Sequence, residues 1–312
     1  MTTDEKLSAI LAAVQTDPGN RGLARDPHDN LFTATAGDFQ AACRSIAKGP
    51  FSLLGVVTGF FIPGGAPPAF ETDGPLGAVF FAEAIEHLEI GRVMVFAEGR
   101  CLPSLRAGFE AVGLTTEWED ESIRCLADWT TEVSICGQNR RPKFSHLVSI
   151  ERAGPSTDGR CRSMKARDIT EEMAPAQRAF QSPLREALAN CTIGIGDGGN
   201  EIGMGKIPHE TIVKNIPNGD LIHCRVPTDH LIVCGVSNWG AYALAAGVYV
   251  LRGVKPPADL FDPDREREIL EVMVREGPLV DGVTGKQTAT VDGLTWDEYV
   301  KPLIRIREIL ES

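Results

Sequence analysis

One stretch constrains this chain more than any other. Cys191-Thr192-Ile193 runs without a break into Gly194-Ile195-Gly196-Asp197-Gly198-Gly199-Asn200-Glu201. A short β-prone run feeds a turn with four glycines in eight residues. Glycines at that density allow positive φ and close approach of backbone to a ligand. The turn therefore sits at the end of a buried strand and carries function.

The same punctuation recurs along the chain. The run Phe51 to Ile62 is entered from Gly49-Pro50 and left through Pro63-Gly64-Gly65. Arg92 to Ala97, Leu147 to Ile150, Cys191 to Ile195 and Leu231 to Val236 also read as strands. Helical patterns cover Leu7 to Val14, Asp38 to Ala47, Pro75 to Leu88 (with Asp73 or Gly74 as cap) and Leu102 to Val112. Further helices are expected over Glu171 to Ala189, with Pro175 and Pro183 as candidate breaks, and over Asn238 to Leu251, Asp264 to Arg275 and Trp296 to Leu310. Thr16 to Gly37 is a long ordered loop. Strands alternating with helices predict an α/β layered sandwich: a largely parallel or mixed central sheet flanked by helices. We read residues 1–312 as one intertwined domain, with the polar, basic Gln138 to Phe144 as the candidate lobe boundary.

Composition narrows the function classes. The chain has 31 basic and 43 acidic residues, a net charge of -12. Such a chain repels phosphate backbones and anionic lipid, so neither nucleic acid nor membrane is an expected partner. None of the eight cysteines lies in a C-x-x-C pair. A thiolate zinc site has no support, and a disulfide framework is not expected at this size. The N-terminus has no basic region followed by an apolar stretch, and no apolar run is long enough to span a bilayer. The expectation is a cytoplasmic protein. The amphipathic C-terminal helices can pack internally or against a second copy, so a homo-oligomer is compatible with the pattern.

The central turn has two readings. Gly194, Gly196 and Gly199 satisfy G-x-G-x-x-G, but Asp197 stands where a pyrophosphate needs N–H groups and no anion. No Gly-Lys-Ser/Thr follows, which excludes a P-loop. Asp197, Asn200 and Glu201 are all oxygen donors, the preference of Mg²⁺ and Mn²⁺. Glu71-Thr72-Asp73-Gly74-Pro75 places two acids at a helix start. Asp73 alone reads as a cap, while Glu71 lies upstream and is unexplained by capping. Glu151-Arg152 follows a strand, as does Ser237-Asn238; the bland readings are a surface ion pair and a helix cap. Asp281 lies in a glycine turn, Val280-Asp281-Gly282-Val283-Thr284-Gly285. The histidines lack H-E-x-x-H spacing, and no G-x-S-x-G elbow occurs. Four of these five constellations follow predicted strands. The carboxyl ends of parallel strands share one edge, so Glu71, Asp73, Glu151, Asp197 and Glu201 are expected to converge, with cations holding them together.

Thr58-Gly59-Phe60, Glu71 to Pro75, Ile150 to Gly154, Ile193 to Gly205 and Val236 to Gly240 resemble the motifs of the D-glutamate cyclase C-terminal domain family. The likeness spans most of the chain. It implies conversion of D-glutamate, a small acidic substrate, to 5-oxo-D-proline with loss of water. Vertebrate relatives are mitochondrial and stand-alone microbial members cytosolic. Some archaeal relatives are described as manganese-dependent phosphatases, so phosphoester hydrolysis is the alternative. The longer vertebrate proteins carry a separate N-terminal hydro-lyase-like domain that nothing here matches. On the cyclase reading Glu71, Asp197 and Glu201 hold Mn²⁺ or Mg²⁺, and Asp197 is also catalytic. Asp73 or Glu151 deprotonates the substrate ammonium, and Arg152 holds the α-carboxylate. Thr72, Asn200, Ser237, Asn238 and Asp281 complete the substrate contacts.

Overall fold

The computed structural model describes residues 1–49, 52–114, 123–125 and 143–312. Most of the proposed lobe boundary, 138–142, lies outside the described residues, as does the Pro50-Phe51 entry to the first strand.

Eight strands are described. β1 is Ser52–Thr58, β2 Phe61–Ile62, β3 Ala69–Phe70, β4 Gly91–Ala97, β5 Ile123–Cys125, β6 Phe144–Ile150, β7 Ala189–Gly196 and β8 His230–Val233. Six of them form one sheet in the order β5-β4-β1-β6-β7-β8, while β2 and β3 pair as a separate antiparallel hairpin. Every pairing in the large sheet is parallel. This is the layered α/β architecture expected from the sequence.

The strands are buried on both faces, which is why they read as continuous apolar runs. Val56, Val95, Val148 and Ile193 face one core, and Val57, Phe96, Leu147 and Leu231 the other. Among the described residues, seven helices of ten residues or more fill the first core: α1 Thr3–Val14, α2 Asp38–Ala47, α3 Pro75–His87, α4 Leu102–Ala111, α5 Ser237–Arg252, α6 Pro263–Glu276 and α7 Lys301–Glu311. The second core is covered by shorter pieces, among them Ile202, Ile207, Ile212 and Ile222. Helix α5 is the central element, buried at every position from Ser237 to Tyr249. Its small residues permit this: a Cβ on Gly240 would meet Ile195 Cγ2 at 2.4 Å, and one on Gly247 would meet Cys43 Sγ at 2.3 Å.

Three expectations are corrected. The helix foreseen over Glu171 to Ala189 is two 3₁₀ turns, Thr170–Glu172 and Ala176–Phe180, and a short helix, Leu184–Leu188. Pro175 and Pro183 each stand immediately before a new start, because proline cannot continue the preceding turn's hydrogen bonds. The run Phe51 to Ile62 is interrupted at Gly59, whose φ of 104° turns the chain out of β1 into the hairpin. Trp296 to Leu310 is two helices, Trp296–Tyr299 and α7, separated at Val300.

The strand order places the site. From β1 the chain moves outward to β4 and β5, then returns to the other side of β1 for β6, β7 and β8. Between β1 and β6 the direction of winding reverses. Crevices form at such switch points, outside the carboxyl ends of the strands. Among the described residues, no helix is long and apolar enough to cross a membrane.

Candidate active site

Each strand beside the switch point delivers polar side chains to this edge. β1 leads through the β2–β3 hairpin to Glu71–Gly74, β6 is followed by Glu151 and β7 by Asp197, and the chain leaving β8 reaches Ser237 and Asn238 at the start of α5. Gly74 has φ 94°, and a Cβ there would lie 2.7 Å from Thr58 Oγ1 and 2.8 Å from Glu151 Cβ. Glycine is therefore required for the Glu71 turn to fold down onto β1 and β6. Glu151 itself has φ 44°, a sparsely populated conformation for a residue with a side chain. The ladder carries that cost, since Glu151 N donates to Ile195 O at 3.2 Å.

Six buried acids converge here: Glu71, Asp73, Glu151, Asp197, Glu201 and Asp292. Two sets bring one carboxylate oxygen per residue within 4.8 Å of one another: Asp73 with Asp197 and Asp292, and Glu151 with Asp197 and Glu201. Asp197 belongs to both. Among the described residues, Arg21 is the cation in contact with them, with Nη1 2.6 Å from Asp197 Oδ2 and Nη2 2.9 Å from Asp292 Oδ1.

Burial and mutual repulsion set the protonation of these groups. Burial pushes the Glu71 carboxyl well above the ordinary range, with Asp292 and Asp73 adding to it. Burial does the same to Glu151, reinforced by Asp197 and Glu201. Asp197 is raised by burial too, against the pull of Arg21. Asp73 rises to about 7, through burial and Asp292, held down by N–H donors from Asn238 and Ser237. Arg21 is held firmly protonated: burial opposes its charge, and Asp197, Asp292 and Glu151 overcome that. One guanidinium among six carboxyls leaves a site that must take up protons or cations.

A pocket of about 360 Å³ opens over this floor, lined by Glu71, Glu151, Asp197, Asn200, Glu201 and Asp292, with Arg21 among them. Its apolar wall is Phe60, Ile62 and Pro63. The expected residues divide clearly. Glu201 lines the pocket yet also builds it: its Oε1 accepts from Asp197 N at 3.0 Å and its Oε2 from Gly199 N at 2.7 Å, closing the glycine turn. Asn200 Nδ2 donates to Arg162 O at 2.7 Å, and its Oδ1 is buried without a partner among the described residues. Ser237 Oγ donates to Glu151 Oε2 at 2.6 Å. Glu71 lines the pocket but stands outside both carboxylate sets.

Five further expected residues are engaged within the fold and do not line the pocket. Asp73 does not cap its own helix α3; it accepts from Ser237 N and Asn238 N, each at 2.8 Å, at the start of α5. Asn238 in turn caps α3. Thr72 Oγ1 donates to Thr290 O at 2.7 Å. Asp281 is fully buried and organises a loop, accepting from Val283 N, Thr284 N, Thr290 Oγ1 and Gly293 N. Arg152 is fully buried beneath the edge rather than lining the pocket. It pairs with Glu98 at 2.5 Å and donates to the carbonyls of Gly59 and Ala174. Its place after β6 aims the chain inward, and Glu98, just past β4, is there to meet it.

Arg21 and Asp292 were not foreseen. Arg21 lies in the Thr16 to Gly37 loop, where Asp17 accepts from the backbone N–H of Arg21, Gly22 and Leu23 and so shapes the loop that presents it. Asp292 has φ 56° and precedes Gly293, repeating the Asp-Gly pattern of Asp281-Gly282. That repeat was the available signal for Asp292. Arg21 had none beyond the glycines around it, because its partners are over a hundred residues away in the chain.

The donor set suits a hard divalent cation. All donors are carboxylate oxygens, and among the described residues Asp292 Oδ2 is buried without a hydrogen-bond partner. Ligands about 2.1 Å from an Mg²⁺ ion stand about 3–4 Å apart, so either triad can close on such an ion with small side-chain shifts.

A family model described as "D-glutamate cyclase-like, C-terminal" matches residues 10–307. The human mitochondrial D-glutamate cyclase is 29% identical over 337 residues, covering 98% of this chain and 52% of the human protein. The chain thus spans about half the length of the curated relative it matches. The match of the family model over nearly the whole chain places it in the D-glutamate cyclase-like, C-terminal family.

Proposed function

We propose that this chain closes D-glutamate to 5-oxo-D-proline with the assistance of a divalent cation, Mn²⁺ or Mg²⁺. The observation that carries the reading is the pair of carboxylate triads sharing Asp197, with Glu151, Asp197, Glu201 and Asp292 lining one pocket. The relative's name supports the reaction class. The substrate amine attacks its own γ-carboxyl carbon, a C–N bond forms, and one carboxylate oxygen leaves as water with two protons from the ammonium.

Asp73, Asp197 and Asp292 hold the cation on this reading. When bound, it neutralises and polarises a carboxylate that would otherwise repel a nucleophile. Glu151 is the better placed base. It lines the pocket, whereas the Asp73 carboxylate accepts three backbone N–H groups. Ser237 orients Glu151 through Oε2. Phe60, Ile62 and Pro63 exclude water from one wall. Incubating the pure protein with D-glutamate and Mn²⁺ or Mg²⁺, and following 5-oxoproline by NMR, tests this directly. No product with either metal sinks it for the isolated chain.

The two adjacent triads also suit a two-cation phosphatase, in which paired ions activate water and stabilise a leaving oxygen. Phosphate release from a panel of small phosphoesters, lost in Asp197→Asn, would favour that reading over the cyclase.

A further inference from the structure

The turn Ser163–Arg167 borders the pocket, and the function above leaves it unused. Ser163, Met164, Lys165 and Arg167 all line the pocket. Bridges between Pro155 and Cys161 and between Arg162 and Asp168 make the surrounding segment an ordered arch. Ser163 N donates to Arg167 O at 2.9 Å and Ala166 N to Ser163 O at 2.8 Å, closing its tip. Lys165 and Arg167 are exposed and, among the described residues, neither forms an ion pair. They are cations at the mouth of a pocket whose floor is acidic.

Asn200 connects arch and floor. Its amide orientation is determined, because only the NH₂ can donate to Arg162 O. The other atom, Oδ1, is buried, has no partner among the described residues, and belongs to a side chain that lines the pocket. An acceptor left in this state calls for a donor from a ligand. Gly198 keeps the space beside it open: a Cβ there would stand 2.8 Å from Asn200 Oδ1, 3.0 Å from Glu201 Oε1 and 2.6 Å from Met164 Sδ.

We propose that the pocket reads a small amino diacid at three points: Lys165 and Arg167 take the α-carboxylate, Asn200 Oδ1 takes the amino group, and the acidic floor, bridged by a cation, takes the side-chain carboxylate. This rests on the cyclase reading and adds the recognition that reading lacks. It also replaces Arg152, whose guanidinium is enclosed with Glu98, as the carboxylate anchor. Three fixed attachments around one carbon are what selection of a single enantiomer requires. The arrangement presents the amine and the distal carboxyl together over the floor, the pair that must react.

The test uses the double variant Lys165→Ala/Arg167→Ala, which alters exposed side chains only. Loss of charge-assisted contacts to one carboxylate predicts a rise in KM for D-glutamate of about tenfold or more with kcat little changed. D-Glutamate carrying an α-carboxamide is the second probe. The unaltered protein discriminates against it, and the double variant does not. Lys165→Arg/Arg167→Lys, which keeps both charges, restores most of the affinity. If the unaltered protein forms no 5-oxoproline, calorimetric titration of D-glutamate in the presence of Mn²⁺ replaces KM. Binding that weakens about tenfold in the double variant supports the arch even though cyclisation fails. Unchanged KM or affinity in the double variant overturns the proposal, as does the absence of D-glutamate binding to the unaltered protein.

Discussion

Asp73 and Asn238 cap each other's helices. Asp73 precedes α3 yet its carboxylate accepts from the first N–H groups of α5, while Asn238, in the first turn of α5, accepts on Oδ1 from Gly74 N and Gly77 N at 2.8 Å each, at the start of α3. Neither helix has a side-chain cap of its own. Two helix N-termini therefore meet beside the buried acids, and their partial positive charges help hold them. Removing one cap leaves N–H groups of the other helix unsatisfied in a dry interior.

The first prediction follows from that geometry. Asn238→Ala removes the acceptor for two buried N–H groups and the Nδ2 donor to Tyr299 Oη at 3.1 Å. It should destabilise the protein by about 2–4 kcal/mol, more than an exposed cap, because no water replaces it. Urea unfolding measures this, and a change below about 0.5 kcal/mol would show that the reciprocal caps carry little energy.

A second concerns Asp197, the residue common to both triads. Asp197→Asn keeps shape and removes charge. Mn²⁺ affinity should fall by at least about a hundredfold, beyond what loss of an outer-shell partner causes. Calorimetric titration with Mn²⁺, alongside 5-oxoproline formation, reads it; unchanged affinity would remove Asp197 from the cation site.

Gly282→Ala probes the contact between the Asp281 loop and Glu71. The added Cβ would lie 1.8 Å from Glu71 Oε2, so the carboxylate must move. Turnover should drop about tenfold or more, since displacement of a pocket group by about 1 Å is costly, while far-UV circular dichroism stays native. Full activity in this variant would show that Glu71 has no part in the chemistry.

Glu266 gives a prediction on pH. Burial raises its carboxyl from 4.5 to about 8, with Glu83 adding to it and the Tyr242 hydroxyl opposing it. The folded state therefore holds a proton that the unfolded chain releases. That stabilisation is complete below about 4.5, declines as pH rises to about 8, and is absent above. Glu266→Gln, which cannot ionise, should flatten this decline in stability between pH 5 and pH 8, measured by chemical unfolding across the range. Identical pH profiles would place the carboxyl's titration in its ordinary range.

Some of this was legible in the chain itself. Pro75, a glycine before it and an apolar stretch after it mark α3 because local sterics decide helix starts. Asp38 to Ala47 matches α2 to the residue for the same reason. The glycine turn at Asp197 was readable because glycines mark backbone that other residues cannot adopt. The failures are equally physical. Whether Glu171 to Ala189 stays one helix depends on competition between periodicity and two prolines, and the prolines prevailed.

Local chemistry in the sequence thus determined the alternation of elements, the parallel sheet it requires and the edge at which the acids gather. Only the tertiary structure decided which acids share an oxygen cluster, that Arg21 rather than Arg152 meets them, and that Asp73 serves α5 instead of α3. Strand and helix signals act over a few residues, so they are written in short windows. Pairings between Arg21 and Asp197, or Asp73 and Asn238, span more than 150 residues, and nothing but the packing of the sheet brings them within reach.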